Sequence, residues 1–281
     1  FSLYFLIENK KKMFMKPDGE ILPICLTIAG SDSGGGAGIQ ADLKTFASMD
    51  CYGVSVVTSV TAQNTKGVDD IHVIPTLTIL NQLKSIMSDM KFSAVKTGMI
   101  PEKSIVESVV DNISCVSNLK LVVDPVIVST SGHKLISDEA INSIRSKLFP
   151  IAKIITPNLP EAEVLISKKI SNKNEIKDAC KYLIDLGPKS VVIKGGHFFD
   201  SKISEDIFYD GHNFEFFSEK RIETTSTHGT GCTFSAAIAS MLAKNYSIVD
   251  SVSLAKKYVT KAIDQAYKIG EGNGPLNHFF S

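Results

Sequence analysis

The sequence is poor in the features that mark several classes of protein. Its 281 residues carry 30 Lys and Arg against 30 Asp and Glu, so the formal net charge is zero. A dedicated nucleic-acid binder usually has a basic excess, and a disordered charged chain has few apolar residues, whereas this chain has 43%. We therefore expect a globular protein without a nucleic-acid partner.

Patterns of metal-binding and disulfide proteins are also missing. The five cysteines are an odd number, lie far apart and form no CxxC motif, and the six histidines form no HExxH motif. These observations argue against a zinc ribbon and a disulfide framework. The cysteine usage is typical of a reducing compartment, so we expect a cytoplasmic protein.

Long apolar runs are absent as well. Residues 1–7 are apolar, but seven residues are too few to span a bilayer. The basic run 10–12 follows them, whereas in a secretory signal the charges come first. We predict that residues 1–22 are a weakly ordered N-terminal extension and that the protein is soluble, without a membrane partner.

From Ile24 onward the chain alternates short β-rich runs with segments of helical period. The predicted strands are 24–29, 52–60, 94–97, 119–124, 153–156 and 191–194, and a hairpin is predicted over 204–222. Apolar residues at helical spacing predict helices between the strands and two more after the hairpin. This alternation predicts a single α/β domain over 23–281, with a mainly parallel central sheet and helices on both faces.

A glycine-rich turn, Gly30–Gly38, follows the first predicted strand, at the sheet edge where ligands of such folds bind. It is not a P-loop, because the GK[ST] ending is missing. Gly36, Gly38 and Ala41 match the dinucleotide pattern GxGxxA, but the next strand ends without an acid for a ribose. Two other interpretations stay open, a tight turn that needs glycine and a turn whose backbone approaches a small ligand closely.

A second glycine-rich turn, Thr227–Phe234, opens a helix of small residues. Its amides and the helix dipole would form an anion cradle. Cys232 lies in the first turn of that helix, where a thiol pKa is commonly lowered. A base beside an anion hole suits phosphoryl transfer to an alcohol, although Cys232 could equally be a small buried residue at a helix start.

Several motifs occur in an order that resembles a known family. They are Ile28–Phe46, Ala62–Thr65, Lys96–Met99, Asp124–Val126, Thr156–Glu161, Lys194–His197, His228–Thr233 and the tail Gly274–Phe279. Together they resemble the hydroxymethylpyrimidine/phosphomethylpyrimidine kinase family of thiamine biosynthesis, a branch of the ribokinase-like superfamily. The resemblance covers about residues 24–278 and implies a ribokinase-like α/β fold, ATP and Mg²⁺ as cofactors, and a homodimer.

On the catalytic side the resemblance implies roles for four residues of the second turn. Cys232 would be the base for the substrate hydroxymethyl group, where most ribokinase-like kinases have an aspartate. Gly229, Thr230 and Gly231 would contribute the anion hole. Because a free thiol titrates at about 8.5, we expect the pKa of Cys232 to be lowered.

On the nucleotide side the resemblance implies that Asn158 and Glu161 organise the nucleotide phosphates and Mg²⁺, the metal largely through water. Asp124 would support the same metal site, and Lys194 would reach the phosphates. The residues by themselves also allow simpler interpretations. Asn158 could cap a helix that has Glu161 as its first-turn acid. Asp124 could be a turn residue, and Lys194 could be a solvated lysine.

On the pyrimidine side the resemblance points to Gly30, Asp42, Gln63, Met99 and Val126. Gln63 offers a donor and acceptors for the edge of an aminopyrimidine, and Met99 offers an adaptable apolar surface against the ring. The alternatives are a solvated position on the first helix for Asp42 and packing or turn roles for Gln63 and Met99.

The resulting hypothesis is ATP-dependent phosphorylation of 4-amino-5-hydroxymethyl-2-methylpyrimidine and then of its monophosphate. The nearest alternative is a pyridoxal kinase, because pyridoxal is also a six-membered nitrogen heterocycle with a hydroxymethyl arm. A binder of pyrimidines or nucleotides without turnover and a dinucleotide-dependent dehydrogenase are two further alternatives.

Overall fold

The computed structural model describes residues 22–128, 135–195 and 202–280. The predicted N-terminal extension therefore lies outside the described residues, apart from its last position. Gly196 and His197 of the Lys194–His197 motif also lie outside them.

Within the described residues, the strands form one nine-stranded sheet. The strands are β1 Ile24–Asp32, β2 Tyr52–Gln63, β3 Val68–Val73, β4 Ala94–Thr97, β5 Leu121–Val123, β6 Ile154–Ile155, β7 Val191–Ile193, β8 Ile203–Tyr209 and β9 Phe214–Lys220. Their order is β3-β2-β1-β4-β5-β6-β7-β8-β9. The six strands from β2 to β7 in this order pair in parallel, while β3 at one end and β8 and β9 at the other are antiparallel.

Helices cover both faces of the sheet. They are α1 Gly38–Ser48, α2 Thr76–Asp89, α3 Lys103–Ile113, α4 Asp138–Ser143, α5 Leu159–Ile166, α6 Lys173–Asp185, α7 Thr230–Ala243 and α8 Ile248–Asp264. One core joins the sheet to α2–α6 and the other joins it to α1, α7 and α8. Neighbouring residues of a strand point to opposite faces, so Leu26 and Ile28 fill the first core and Cys25 fills the second. The predicted mainly parallel α/β fold is confirmed.

Strand β3 is an element that the sequence patterns do not predict. Its Val68, Ile71 and Val73 are only half buried, while Asp69 and Asp70 are exposed. An edge strand of this kind has no continuous apolar run to reveal it. Its antiparallel pairing with β2 explains why β2 extends beyond the predicted end of the strand.

The parallel strands bring the predicted site residues to one edge of the sheet. Asp124 follows β5, Asn158 follows β6 and Lys194 follows β7, and a β-bridge joins Asn158 to Lys194. Among the described residues, no helix has both the length and the apolar character needed to cross a bilayer.

Candidate active site

The two glycine-rich turns contact each other directly. Gly229 is the N-cap of α7 and has a φ of +83°, a conformation that favours glycine. A Cβ at this position would also collide with the carbonyl oxygen of Gly36. Glycine at residue 229 is therefore required both for the backbone conformation and for the approach of the first turn to the second.

The amides of the first turn hold a carboxylate of the protein itself. The backbone N–H groups of Gly34, Gly36 and Ala37 donate to Asp32 at 2.7–2.9 Å, and His228 Nε2 lies 2.9 Å from the same carboxylate. Burial alone raises the pKa of Asp32, but His228 and the backbone donors outweigh it and lower the pKa. These amides are therefore already bonded, which argues against the dinucleotide interpretation of the turn.

The C-terminal tail packs onto the second turn. The backbone N–H of His228 donates to Gly274 at 3.0 Å, and His278 Nε2 lies 3.0 Å from the hydroxyl of Thr233. Burial lowers the pKa of His278 to about 4, so this imidazole is neutral at neutral pH. The tail motif of the sequence thus braces the start of α7.

Asp42 and Lys96 form what we call the sealed pair. Lys96 Nζ lies 2.9 and 2.8 Å from the two carboxylate oxygens of Asp42, and the hydroxyl of Thr27 donates to Asp42 at 2.6 Å. Both charged side chains are 0% exposed. The alternative that Asp42 is solvated is wrong, and the direct substrate contact implied for it stays a prediction, since its described partners are Lys96 and Thr27.

The charges of the sealed pair depend on each other. Burial raises the pKa of Asp42, although Lys96 and Thr27 oppose that effect. Burial alone would lower the pKa of Lys96, but the carboxylate of Asp42 reverses this, and the pKa lies above its usual range. The Lys96 ammonium is thus a fixed buried cation whose field also reaches Cys232.

Asp124 and Lys194 form what we call the open pair. Lys194 Nζ lies 2.8 Å from Asp124 Oδ1, with the side chains 14% and 2% exposed, and the hydroxyl of Thr156 donates to the same oxygen at 2.9 Å. The second oxygen, Oδ2, has a hydroxyl of Ser235 at 3.4 Å. Burial alone raises the pKa of Asp124, but Lys194 and Lys96 outweigh it and lower the pKa.

The open pair borders the second glycine turn. A Cβ built at Gly231 would lie 3.1 Å from Lys194 Nζ and 3.6 Å from Asp124 Oδ2. The interpretation of Lys194 as a solvated lysine is therefore wrong. The backbone N–H of Thr230, implied for the anion hole, donates to Thr227 at 3.3 Å, a long bond that an anion could replace.

Asn158 and Glu161 form a capping box at the start of α5. The Asn158 side chain accepts from the Glu161 backbone N–H, and Glu161 Oε2 accepts from the Asn158 N–H, both at 2.8 Å. The capping interpretation is therefore correct. Glu161 can have a second role besides capping. Burial raises the pKa of its carboxyl to about 7, and the carboxyl interacts with Lys194 and Asp124.

These residues fit a hydrated Mg²⁺. Asp124 and Glu161 are two neighbouring buried carboxyls, and Mg²⁺ usually keeps several waters while one or two carboxylates hold it. No group of three or more His, Cys, Asp or Glu side chains that could hold a metal occurs in the described part of the chain. A metal held by protein ligands alone would need such a group, whereas Mg²⁺ bound mainly through water does not.

Cys232 is half buried in the first turn of α7. Its thiol interacts with the Gly38 backbone N–H, at the start of α1, and with Lys96. The expectation of a lowered pKa is wrong for the protein without substrate. Burial raises the pKa of Cys232 to about 11, against the opposing effect of Lys96, because loss of hydration outweighs a single buried cation and the helix amides.

The structure gives the surroundings of the other four residues implied for the pyrimidine. A Cβ built at Gly30 would lie 2.7 Å from Met99 Cε, so glycine allows Met99 to reach the backbone there. Gln63 Nε2 lies 3.3 Å from His228 Nε2, and Gln63 Oε1 lies 3.2 Å from the hydroxyl of Thr61. Val126 is half buried, directly after Asp124 and Pro125. Their contacts with a substrate stay predictions.

Sequence reasoning missed three residues that organise this site. Asp32, Lys96 and His228 all lie in the quoted motifs, but none was assigned a role. One signal was available for Lys96, which lies inside the short buried strand β4 and is 0% exposed. A charged residue in such a strand demands a buried partner.

Known proteins match nearly the whole chain. A family model described as phosphomethylpyrimidine kinase matches residues 32–277. A thiamine biosynthetic bifunctional enzyme of Arabidopsis thaliana is 48% identical over 263 residues, which are 92% of this chain and 50% of that protein. The hydroxymethylpyrimidine/phosphomethylpyrimidine kinase of Haemophilus influenzae is 45% identical over 258 residues, which are 90% of this chain and 96% of that protein.

A solved structure also matches. The crystal structure of an ADP complex of Bacillus subtilis pyridoxal kinase has a TM-score of 0.83 and 36% identity, covering 92% of this chain and 97% of that chain. The chain spans about half the length of the bifunctional relatives, 50% and 55%. Because the family model matches most of the first glycine turn, all of the second and both buried ion pairs, the chain belongs to the phosphomethylpyrimidine kinase family.

Proposed function

We propose that this protein transfers the γ-phosphoryl group of ATP to 4-amino-5-hydroxymethyl-2-methylpyrimidine, and then a second phosphoryl group to the monophosphate, for thiamine biosynthesis. One observation carries the proposal. The thiol of Cys232, the turn at Gly231 and the open pair lie together at the start of α7, so a candidate base and a cation suited to phosphate lie beside the same glycine turn.

In the first transfer, Cys232 Sγ accepts the proton of the substrate hydroxymethyl group. The hydroxymethyl oxygen forms a bond to the γ-phosphorus of ATP, while the bond from that phosphorus to the ADP oxygen breaks. The amides of Gly229, Thr230 and Gly231 and the Lys194 ammonium stabilise the charge on the transferring group. Only the thiolate form of Cys232 can accept this proton, and because the pKa of Cys232 is raised to about 11, the thiolate is the minor form at neutral pH and we expect the first transfer to be faster at higher pH.

The nucleotide side is formed by the open pair and the start of α5. Lys194 holds phosphate oxygens, and Asn158 and Glu161 position the nucleotide and its metal with the help of Asp124. A Mg²⁺ held there would neutralise charge on the phosphates. Ionised Glu161 is needed for this role, and its raised pKa makes metal binding compete with a proton.

On the substrate side, Gly30, Gln63, Met99 and Val126 contact the ring. The proposal also includes the implied contact of Asp42 with the substrate, and Asp42 further contributes by holding Lys96, since both of its carboxylate oxygens bond Lys96. We further propose that residues 23–281 are one kinase domain, that the enzyme is a cytoplasmic homodimer, and that neither nucleic acid nor a membrane is a partner.

A pyridoxal kinase is the second candidate, because a pyridoxal kinase matches this chain at a TM-score of 0.83. Incubation of the protein with Mg-ATP and either the pyrimidine or pyridoxal, followed by mass analysis of the products, separates the two. The proposal expects pyrimidine monophosphate and then diphosphate. Efficient formation of pyridoxal phosphate, with no pyrimidine phosphate, would overturn it.

The variant Cys232→Ala tests the mechanism in the same assay. Loss of a general base typically lowers the rate by about 10²–10⁴-fold, so formation of the monophosphate should fall by this factor. The second transfer, in which a phosphate oxygen is the nucleophile, should be affected far less. Near-normal formation of the monophosphate by Cys232→Ala would exclude Cys232 as the base.

A further inference from the structure

Ser59, on β2, has a hydroxyl that the fold leaves without a partner. The residue is 0% exposed, and among the described residues its Oγ has no hydrogen-bond partner. Its neighbours on the same strand are satisfied, because Thr58 donates to the Met99 carbonyl at 2.7 Å and Thr61 donates to the Ser31 carbonyl at 3.0 Å. Ser59 is therefore an exception that needs a physical explanation.

The position of the hydroxyl suggests that explanation. A Cβ built at Gly30 would lie 2.8 Å from Ser59 Oγ and 2.7 Å from Met99 Cε. The hydroxyl and the thioether methyl thus both lie against the backbone of Gly30. Gly30 and Met99 are two of the positions that we propose for the substrate ring, so the unbonded oxygen borders the same subsite.

A buried hydroxyl without a partner costs free energy in the ligand-free protein. That cost is recovered if a ligand supplies the missing partner, and the recovery then counts toward the affinity for that ligand alone. A hydroxyl is suited to a nitrogen heterocycle, because it can donate to a ring nitrogen and can also accept from an exocyclic amino group.

We propose that Ser59 is a specificity-determining residue whose hydroxyl hydrogen-bonds a nitrogen-bearing edge of the heterocyclic substrate. The proposal rests on the proposed function, since it takes the ring to bind against Gly30 and Met99. It assigns no part of phosphoryl transfer to Ser59. Its substitution should therefore change the binding of the heterocycle and leave the binding of ATP unchanged.

The test compares Ser59→Ala with Ser143→Ala. Ser143, on α4, is also buried, and its hydroxyl is also without a partner among the described residues. Neither substitution removes a hydrogen bond of the ligand-free protein, so neither should lower Tm without ligand. The measurements are KM for the pyrimidine, KM for ATP, and the rise in Tm on adding the pyrimidine without ATP.

For Ser59→Ala we expect KM for the pyrimidine to rise at least about fivefold, with an unchanged KM for ATP and a smaller rise in Tm. Ser143→Ala should keep all three wild-type values. An unchanged KM for the pyrimidine would overturn the proposal, and so would a lower Tm without ligand, which would reveal a structural role. If the pyrimidine neither stabilises nor is phosphorylated by the unmodified protein, the proposed function itself is wrong.

Discussion

The sealed pair and the open pair use the same three residue types with opposite results. Each has a lysine, an aspartate and a threonine that donates to the aspartate, from Thr27 in one and from Thr156 in the other. In the sealed pair Lys96 bonds both oxygens of Asp42, and both side chains are fully buried. In the open pair Lys194 and Thr156 bond one oxygen of Asp124, and Lys194 is 14% exposed.

The difference separates architecture from chemistry. A carboxylate whose oxygens are saturated by neighbouring groups can fix a cation in the core but has little capacity left for a ligand. A carboxylate with a less occupied oxygen, beside a lysine that reaches solvent, can bind a hydrated metal and a phosphate. We infer that the sealed pair positions charge beneath the site and that the open pair contacts the nucleotide.

The largest expected effect is that of Asp42→Asn on stability. The substitution leaves the Lys96 ammonium fully buried without a carboxylate, and breaking a buried pair in this way costs about 3–5 kcal/mol. Denaturant unfolding measures the loss. The double variant Asp42→Asn with Lys96→Met is the control, because removing both charges should restore most of the stability. A loss well below this range for the single variant would mean that Lys96 finds another partner.

Asp124→Asn should act mainly on turnover. Lys194 keeps the carboxyl of Glu161 as a neighbour and is partly exposed to solvent, so the loss of stability should be about 1–3 kcal/mol, less than for Asp42→Asn. Loss of an electrostatic group at the transferring phosphate should lower kcat by about 10²–10³-fold. Steady-state kinetics over a range of Mg²⁺ concentrations, with unfolding of the same samples, measures both. If Asp42→Asn and Asp124→Asn lowered stability equally, the inferred difference between the sealed pair and the open pair would be wrong.

The smallest expected effect is a dependence on pH that links the sealed pair to Cys232. With a thiol pKa of about 11, the thiolate fraction rises about tenfold per pH unit below that value. For the alcohol substrate, kcat/KM should therefore rise with pH between about 7 and 9. For the monophosphate substrate it should stay nearly flat in that range, because no proton is removed from its nucleophile.

The variant Lys96→Met with Asp42→Asn sharpens this test. Lys96 lowers the pKa of Cys232 and Asp42 raises it, but the effect of Lys96 is the larger of the two, so the double variant should be slower with the alcohol at neutral pH. The rate with the monophosphate is the internal control. Parallel pH profiles for the two substrates would contradict the assignment of Cys232 as a base.

Much of the fold could be predicted because its signals are local. The buried strands β1, β4, β5 and β7 are short apolar runs between helical segments, and the aromatic alternation over 204–222 coincides within two residues with the hairpin β8–β9. Strand β3 could not be predicted, since its exposed aspartates hide an edge strand that forms only by pairing with β2. Its existence depends on a partner and not on its own pattern.

The site was predictable as a set of positions and less so as a set of contacts. The glycine turns and the Asn158–Glu161 cap are visible in the sequence because they have fixed spacing. Asp32 pairs with His228, which lies 196 residues away along the chain, and Asp42 pairs with Lys96, which lies 54 residues away. No local sequence pattern links the members of either pair. The raised pKa of Cys232 was missed for the same reason, because burial is a property of the packed protein.

The sequence by itself determined the class of fold, the glycines that permit the two turns to touch, and the residue types available for phosphoryl transfer. These follow from periodicity, from backbone conformation and from the chemistry of single side chains. Only the tertiary structure decided which lysine pairs with which aspartate, and which carboxylate keeps an oxygen for a ligand. That choice depends on burial and on distances between remote strands, where loss of hydration and the opposing charge together set the state of each group.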